Sequence, residues 1–203
     1  DDKISFVIKK TEEIMEDSEY QGVRLSLDAY LDKTRIPLKI DISTGDVITP
    51  CEISFSYQLM FEKRTIPLLA YPPETVLAEK LETILSRGEA NTRLRDFYDV
   101  YILQREDFVV TPDALRYALL ATCRKRGHED LLHTYASILD RVRQSDTMRT
   151  QWMKYQSDFD YAAGITWDTV LDTVETLCMK TLDDHAFGDE LPQEESQFEM
   201  HLL

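Results

Sequence analysis

Two hydrophobic periodicities follow one another along this 203-residue chain, and their order limits the folds that it can adopt. Up to about residue 72, apolar side chains alternate with polar ones, as in half-buried β-strands. From residue 73 onward the apolar spacing is typical of amphipathic helices. A run of strands followed by a run of helices predicts an α+β protein. We predict a sheet part over 1–72, a helical domain over 73–184 and an acidic tail over 185–203.

The clearest strand pattern lies between residues 23 and 31. Its apolar positions share one face: Val23, Leu25, Leu27, Ala29 and Leu31. Its polar positions share the other: Arg24, Ser26, Asp28 and Tyr30. Such a strand packs one face on a core and leaves the other in solvent. The stretch PLKIDIS repeats the pattern, so we expect Leu38, Ile40 and Ile42 to face the core and Asp41 to point the opposite way.

Helix start signals recur in the second part of the chain. Thr111 followed by Pro112 is a favourable N-cap and first-turn pair, and Thr166 is the expected N-cap of another helix. Further helical patterns lie around 129–145 and 146–162. These signals predict several helices in sequence, with short connections.

The formal net charge is −15, which argues against sequence-blind binding to a nucleic-acid backbone. Much of that charge is in the tail, because seven acidic residues and no Lys or Arg follow Lys180. Two groups of cations remain in the body of the chain: Arg87, Arg93, Arg95 and Arg105, and then Arg124, Lys125 and Arg126. A local anion site is one interpretation of these groups. For the second group, a solvated helix end is the alternative.

Cysteine spacing and hydropathy indicate the cellular setting. Cys51, Cys123 and Cys178 are far apart and match no zinc-binding or redox spacing, so we expect free structural thiols. No stretch approaches the ~18 consecutive apolar residues of a membrane span, and the N-terminus lacks the pattern of a signal peptide. We therefore predict a soluble, cytoplasmic protein. The alternating pattern begins almost at Asp1, which suggests a fragment or a processed chain.

A lysine interrupts the apolar stripe of the first long helical segment. On a helical wheel, Lys80 lies between Val76 and Ile84. Two interpretations stay open. Lys80 either packs its methylenes and extends its ammonium into solvent, or it points into a cleft at carboxylates or phosphate.

Two aspartates occupy the next helical segment, which is apolar nearly all round. Asp96 and Asp99 are spaced i to i+3, so they share one face, and buried aspartates need partners. An internal salt-bridge network that includes an Arg95–Asp99 pair is one account. A strand aspartate such as Asp41, a helix lysine and helix aspartates are also the groups that hold Mg²⁺ and triphosphate oxygens.

Two stretches taken together resemble the nucleotidyltransferase toxins of the AbiEii/AbiGii abortive-infection group. They are LKIDISTGD and AYPPETVLAEKLETILSRGEANTRLRDFYDVYIL, and the resemblance runs from about residue 1 to 127. It implies a DNA polymerase β-like nucleotidyltransferase fold with a helical C-terminal part. It also implies a type IV toxin controlled by a separately encoded antitoxin. The implied reaction transfers NMP from an NTP to RNA, notably tRNA, with Mg²⁺ as cofactor.

Matching positions carry the roles that this resemblance implies. Asp41 corresponds to the strand carboxylate that supports the metal site. Lys80 corresponds to the phosphate-facing lysine, and Asp96 to the catalytic aspartate of the last motif, with Asp99 beside it. With the local anion interpretation of the first cation group, the candidate nucleotide-binding side chains are Lys80, Arg87, Arg93 and Arg95.

One departure from the family pattern affects the expected activity. The family carries a Gly-Gly or Gly-Ser turn and a Ser-x-Asp-x-Asp strand upstream of the Asp41 strand, and this chain has neither. Its Asp-x-Asp, at Asp158 and Asp160, lies in the helical half and is interpreted as solvated helix charge. Either the missing motif precedes Asp1 in a longer protein, or this chain has lost the principal metal ligands. In both cases we expect the chain alone to be inactive.

Three functional interpretations stay open at this point. The first is the C-terminal portion of a nucleotidyltransferase toxin that is active in the full-length protein. The second is a non-catalytic binding module of the same fold that contacts an antitoxin or RNA. The third is a structural interaction protein whose Lys and Asp residues form an internal network.

Overall fold

The computed structural model describes most of the chain, over residues 3–14, 22–43, 45–105 and 110–183. The chain divides into two compact units, Asp1–Asp46 and Val47–Leu203. The acidic tail predicted over 185–203 lies outside the described residues. The domain bounds predicted at residues 72 and 184 stay predictions.

The first unit contains a three-stranded antiparallel sheet in the order β1-β2-β3. Its strands are β1 (Ser5–Ile14), β2 (Gly22–Leu31) and β3 (Thr34–Ile42). A tight turn joins β2 to β3, and in it Asp32 adopts a φ of 51°, a left-handed conformation that aspartate tolerates better than most residues. The resulting register places Arg24 opposite Asp41.

The apolar face of β3 is not a core face in the described residues. Leu38, Ile40 and Ile42 are 38%, 47% and 45% exposed, so the prediction that they face the core is wrong. On the neighbouring strand β2, Leu27 and Ala29 are buried as predicted. Alternation determines which residues share a face of the sheet, but neighbouring elements determine whether that face is buried. Strand β2 lies between two strands, whereas β3 is an edge strand with one neighbour.

The polar face of β2 also departs from expectation at Asp28. This residue is 2% exposed rather than solvated. Its carboxylate lies 2.9 Å from Nε of Arg35 and 4.0 Å from Nζ of Lys9. Buried carboxylates are stable when paired, so these two cations explain why the central strand can carry an aspartate there.

The second unit opens with an antiparallel hairpin and continues with helices. The hairpin strands are β4 (Ile53–Gln58) and β5 (Thr65–Ala70). Six helices follow in the described residues: α1 (Pro73–Arg87), α2 (Leu94–Leu103), α3 (Pro112–Lys125), α4 (Leu131–Gln144), α5 (Asp146–Asp158) and α6 (Trp167–Leu182). Small antiparallel sheets followed by helices confirm the predicted α+β class.

Local capping explains where several helices begin. The Thr111 hydroxyl accepts a hydrogen bond from the Ala114 N–H at 3.2 Å, which confirms the predicted N-cap of α3. Thr166 does the same at α6, accepting from the Thr169 N–H at 3.1 Å. At the other end of α1, Gly88 has a φ of 49°, which glycine adopts without the steric cost of a Cβ.

The helices share one hydrophobic core, to which α2 contributes Leu94, Phe97 and Val100. Helix α2 packs against α1, α5 and α6. Phe97 of α2 is fully buried, and its ring centroid lies 5.1 Å from that of Trp167. Trp152 packs 5.8 Å from Trp167, and its Nε1 donates to the Ile165 carbonyl at 2.8 Å. These contacts hold α5 beside α2.

No helix within the described ranges combines the length and the apolar character needed to cross a bilayer.

The three cysteines differ in accessibility, and this leads to a direct prediction. Cys51 is exposed, whereas Cys123 and Cys178 are buried. Burial raises the pKa of each of the two buried thiols to about 12. The thiolate is the reactive form, so at about pH 8 a disulfide reagent should label Cys51 rapidly and the others only after unfolding. Rapid labelling of a second thiol in the folded protein would contradict this packing.

Candidate functional site

The ammonium of Lys80 lies between two carboxylates of α2. Nζ donates to Oδ1 of Asp96 at 3.2 Å and lies 2.6 Å from Oδ2 of Asp99. The side chain is 20% exposed, so its ammonium does not simply extend into solvent. Of the two interpretations of Lys80, the one with carboxylate partners is confirmed. Asp96 and Asp99 meet the same cation because they are one turn apart on α2.

Two arginines at the start of α2 complete the cluster. Arg93 Nε lies 3.3 Å from Oδ2 of Asp96, and Arg95 Nε lies 3.8 Å from Oδ2 of Asp99. The second contact confirms the predicted Arg95–Asp99 pair. The arginine side chains are 59% and 76% exposed. Such exposed pairs add little stability, and both guanidinium groups keep donors available for an anion.

The Asp96 carboxylate is the most buried charge of the cluster, with a side chain that is 6% exposed. Its Oδ2 accepts no hydrogen bond within the described part of the chain, although Arg93 is near. A buried acceptor without a hydrogen bond is costly and calls for an explanation. The Arg93 guanidinium, with its Nε 3.3 Å away, offsets part of that cost as an ion-pair partner.

The cluster lines an open cleft of about 720 Å³ within the second unit. Helix α5 and its C-terminal end supply the facing wall with Gln151, Lys154, Tyr155, Asp158 and Phe159. The lining carries four cations, Lys80, Arg93, Arg95 and Lys154, and three acids, Asp96, Asp99 and Asp158. Its volume is within the range of small-molecule sites, and its charges suit a ligand with both anionic and polar groups.

Other predicted site residues lie apart from this cleft. Arg87 is exposed at the C-terminal end of α1 and does not line it. Asp41 belongs to the first unit, where its oxygens accept from Arg24 Nε at 2.6 Å and Nη2 at 2.7 Å. These hydrogen bonds lower the pKa of Asp41. The expected meeting of Asp41 with Lys80 stays a prediction.

The Asp-x-Asp sequence of the helical half is exposed, as its interpretation as solvated charge predicts. Asp158 ends α5, and Asp160 begins a short 3-10 helix over Asp160–Ala162. Asp158 nevertheless lines the cleft, a position that sequence spacing did not indicate.

The second cationic group is engaged in ion pairs. The guanidinium of Arg126 contacts the carboxylate of Glu82, a residue only 2% exposed, while the Arg126 side chain itself is 35% exposed. His128 Nδ1 lies 2.6 Å from the same carboxylate, and Arg124 pairs with Glu129 at 3.0 Å. Arg124 and Arg126 are exposed at the end of α3, as the solvated-end interpretation predicts, and Arg126 in addition pairs with a buried glutamate of α1. Sequence reasoning missed Glu82, which occupies an apolar row of α1.

Both carboxylates of the Lys80 cluster contact the Lys80 ammonium. Mg²⁺ is usually bound by one or two carboxylates together with substrate phosphates and waters, so a metal ligated by Asp96 or Asp99 would compete with Lys80 for their oxygens. Across the described ranges, no group of three or more His, Cys, Asp or Glu side chains is arranged to hold a metal.

Comparison with known proteins identifies the family. Residues 1–173 match the family described as nucleotidyl transferase AbiEii toxin, type IV TA system. The chain belongs to the AbiEii family. The match extends past the stretch of about residues 1–127 that carries the motifs, and it includes all of α5 and the start of α6. Comparisons with curated proteins and with solved structures found no match.

Membership of the AbiEii family has functional consequences at a general level. It identifies a nucleotidyl transferase of a toxin–antitoxin system, with an antitoxin as partner. Nucleotidyl transferases in general use a nucleoside triphosphate as substrate together with a divalent metal. The quoted motifs and the cleft residues Lys80, Asp96 and Asp99 lie inside the matched range.

Proposed function

We propose that the cleft beside Lys80 binds the phosphates of a nucleoside triphosphate, in a toxin that transfers NMP to RNA. The observation that supports this proposal is the Lys80 ammonium, held by Asp96 and Asp99 at the wall of a cleft that also carries Arg93 and Arg95. We further propose a DNA polymerase β-like fold, action in the cytoplasm and tRNA as the favoured RNA target. These finer assignments rest on the resemblance of the motifs.

Lys80 has the donor that this role requires. An ammonium carries three N–H groups. If Asp96 and Asp99 each take one of them, the third can be donated to a phosphate oxygen in the cleft. Two carboxylates also fix the position of the ammonium before the ligand arrives, and preorganised cations stabilise charge that develops on a transferring phosphoryl group.

The other cluster residues have complementary roles in the proposal. Arg93 and Arg95 present planar guanidinium groups, which recognise phosphate through paired hydrogen bonds. Asp96 is buried and contacts both Lys80 and Arg93, so its proposed role is to hold these two cations in place. Asp41 stays the proposed metal-supporting carboxylate, and a metal there requires that Arg24 release its oxygens.

Replacing Arg95 with alanine tests the phosphate assignment. We expect binding of a ribonucleoside triphosphate with Mg²⁺ to weaken about 5- to 10-fold, the value of an ordinary hydrogen bond, because the Arg95 side chain is 76% exposed and competes with water for the phosphate. Arg64→Ala is the matched control, since Arg64 is also exposed and pairs with an acid, Glu62, at 3.1 Å. Isothermal titration calorimetry with each common ribonucleoside triphosphate measures both variants.

Equal affinities of the two arginine variants would contradict the phosphate assignment. A chain that binds no triphosphate but retains antitoxin or RNA binding would favour the non-catalytic binding module instead.

A further inference from the structure

Four aromatic side chains form a continuous cluster beside the cleft. Tyr155 contacts Phe159 at a centroid distance of 4.7 Å, and Phe159 stacks on Tyr161 at 5.3 Å with an interplanar angle of 29°. Tyr98 of α2 packs 4.8 Å from Tyr161. The hydroxyls of Tyr155 and Tyr161 are 2.9 Å apart and form a hydrogen bond. These contacts hold the rings in place without burying them.

The outer two rings of this cluster are accessible. Phe159 is 42% exposed and Tyr161 is 51% exposed. By contrast, Trp152 and Trp167 are 1% and 3% exposed and supply the aromatic packing of the core. A single exposed aromatic residue is common in proteins. Phe159 and Tyr161 are two partly exposed rings that support each other, and their position decides what the accessible parts can bind.

The aromatic cluster and the charged cleft are continuous. Tyr155 and Phe159 line the same cleft as Lys80 and Arg95, and Lys154 lies on the same wall. Asp99 lines the cleft with them. Burial and the Tyr161 hydrogen bond raise the pKa of Tyr155. A ligand in the cleft can therefore touch the cations and the rings together.

Rings next to cations are the combination that binds single-stranded nucleic acid and nucleotides. Aromatic side chains stack on bases of any sequence, while Lys and Arg contact the backbone phosphates. The overall negative charge of the chain disfavours extended contact with a nucleic-acid duplex. A short, unpaired stretch or a single nucleotide fits a local site of this size better.

We propose that Phe159 and Tyr161 form a stacking platform for a nucleobase whose phosphate binds Arg95 and Lys154 in the adjoining cleft. The base belongs either to the incoming nucleotide or to a single-stranded RNA end. This inference rests on the proposed function, because it takes the cleft as the phosphate site. It adds the surface that holds the base.

The test measures binding of ligands that carry or lack nucleobases to variants that keep or lose the aromatic rings at positions 159 and 161. The probes are a fluorescein-labelled single-stranded oligouridylate, an abasic oligonucleotide with the same phosphates, and ATP with Mg²⁺. Phe159→Leu and Tyr161→Leu remove the rings. Phe159→Tyr and Tyr161→Phe keep them, and Tyr117→Leu is a control at an exposed aromatic on α3. Circular dichroism confirms folding of each variant.

The leucine variants are expected to bind a base-bearing probe about 5- to 100-fold more weakly, since each stacked base contributes strongly to affinity. The ring-keeping variants, Tyr117→Leu and the abasic probe should show no such change. A loss confined to the oligouridylate assigns the platform to RNA, and a loss confined to ATP assigns it to the incoming nucleotide.

Three results would overturn the proposal. They are unchanged binding by both leucine variants, equal weakening for the base-bearing and abasic probes, and no binding of either base-bearing probe by the unmodified chain. The Arg95→Ala variant distinguishes failure of the base-stacking proposal from failure of the proposed function. If only the base-stacking proposal is wrong, Arg95→Ala still weakens triphosphate binding. If the proposed function is wrong, Arg95→Ala leaves triphosphate binding unchanged.

Discussion

Lys80→Met is expected to lower the free energy of unfolding by about 3 kcal/mol, because it removes one partner of a largely buried ion pair. Methionine keeps most of the packing of the lysine methylenes. The loss of stability therefore measures the cost of leaving the Asp96 carboxylate buried without Lys80. Its side chain is 6% exposed, and its remaining partner would be Arg93, which is poorly oriented for a hydrogen bond. Urea unfolding measures the change. A loss below about 0.5 kcal/mol, the usual range for a surface site, would contradict the described burial.

The Lys80→Met/Asp96→Asn double variant separates charge from packing. Neutralising the stranded aspartate should recover most of the lost stability, because the uncompensated buried charge is gone. Lys63→Met serves as a control at an exposed lysine outside the cleft lining. It should leave the unfolding free energy within about 0.5 kcal/mol of the unmodified chain.

The second large effect on the free energy of unfolding is expected in the ion-pair network of Glu82. Replacing the cation should cost more stability than replacing the glutamate. Arg126→Met should cost about 3 kcal/mol, because it leaves a buried carboxylate with His128 alone. Glu82→Met should cost about 1 kcal/mol or less. In that variant the remaining cations can be hydrated, since the side chains of Arg126 and His128 are 35% and 46% exposed.

The comparison of these two variants is made by urea unfolding under one set of conditions. Arg126→Met/His128→Leu should be less stable than Arg126→Met, since it removes both partners of Glu82. Equal costs for Arg126→Met and Glu82→Met would contradict the description of Glu82 as the buried member of the network.

Helix positions could be predicted from the sequence because their signals are local. The hydroxyls of Thr111 and Thr166 cap N–H groups three residues away, so the signal and its partner lie in one short stretch. The period of the apolar positions likewise depends only on neighbours along the helix. The same reasoning located Lys80 and the two aspartates of α2, because charges within apolar rows need partners.

Burial could not be predicted in the same way, because it depends on contacts distant in sequence. Glu82 meets Arg126 and His128 across more than forty positions. Asp28 is paired by a residue of each neighbouring strand. Asp28 lies on the polar face of β2, where its local pattern is that of a solvated acid. Glu82 occupies an apolar row of α1, but its partners lie too far along the chain for that row to identify them.

The aromatic part of the site was missed for a related reason. Phe159 and Tyr161 follow the end of α5, outside any regular period. Their stacking depends on the path of the chain after α5 and on Tyr98 from α2. Loop side chains of this kind become interpretable only when the cleft beside them is known.

The most direct test of the central claim is the affinity of Lys80→Met/Asp96→Asn for ribonucleoside triphosphates with Mg²⁺, measured by calorimetry beside the unmodified chain. The variant should be nearly as stable as the unmodified chain, and the Asp96→Asn single variant measured beside it separates the missing ammonium from the altered Asp96 side chain. We expect affinity to fall about 10- to 100-fold, the value of a hydrogen bond between charged groups. Unchanged affinity in a folded variant would contradict the assignment of Lys80 to phosphate.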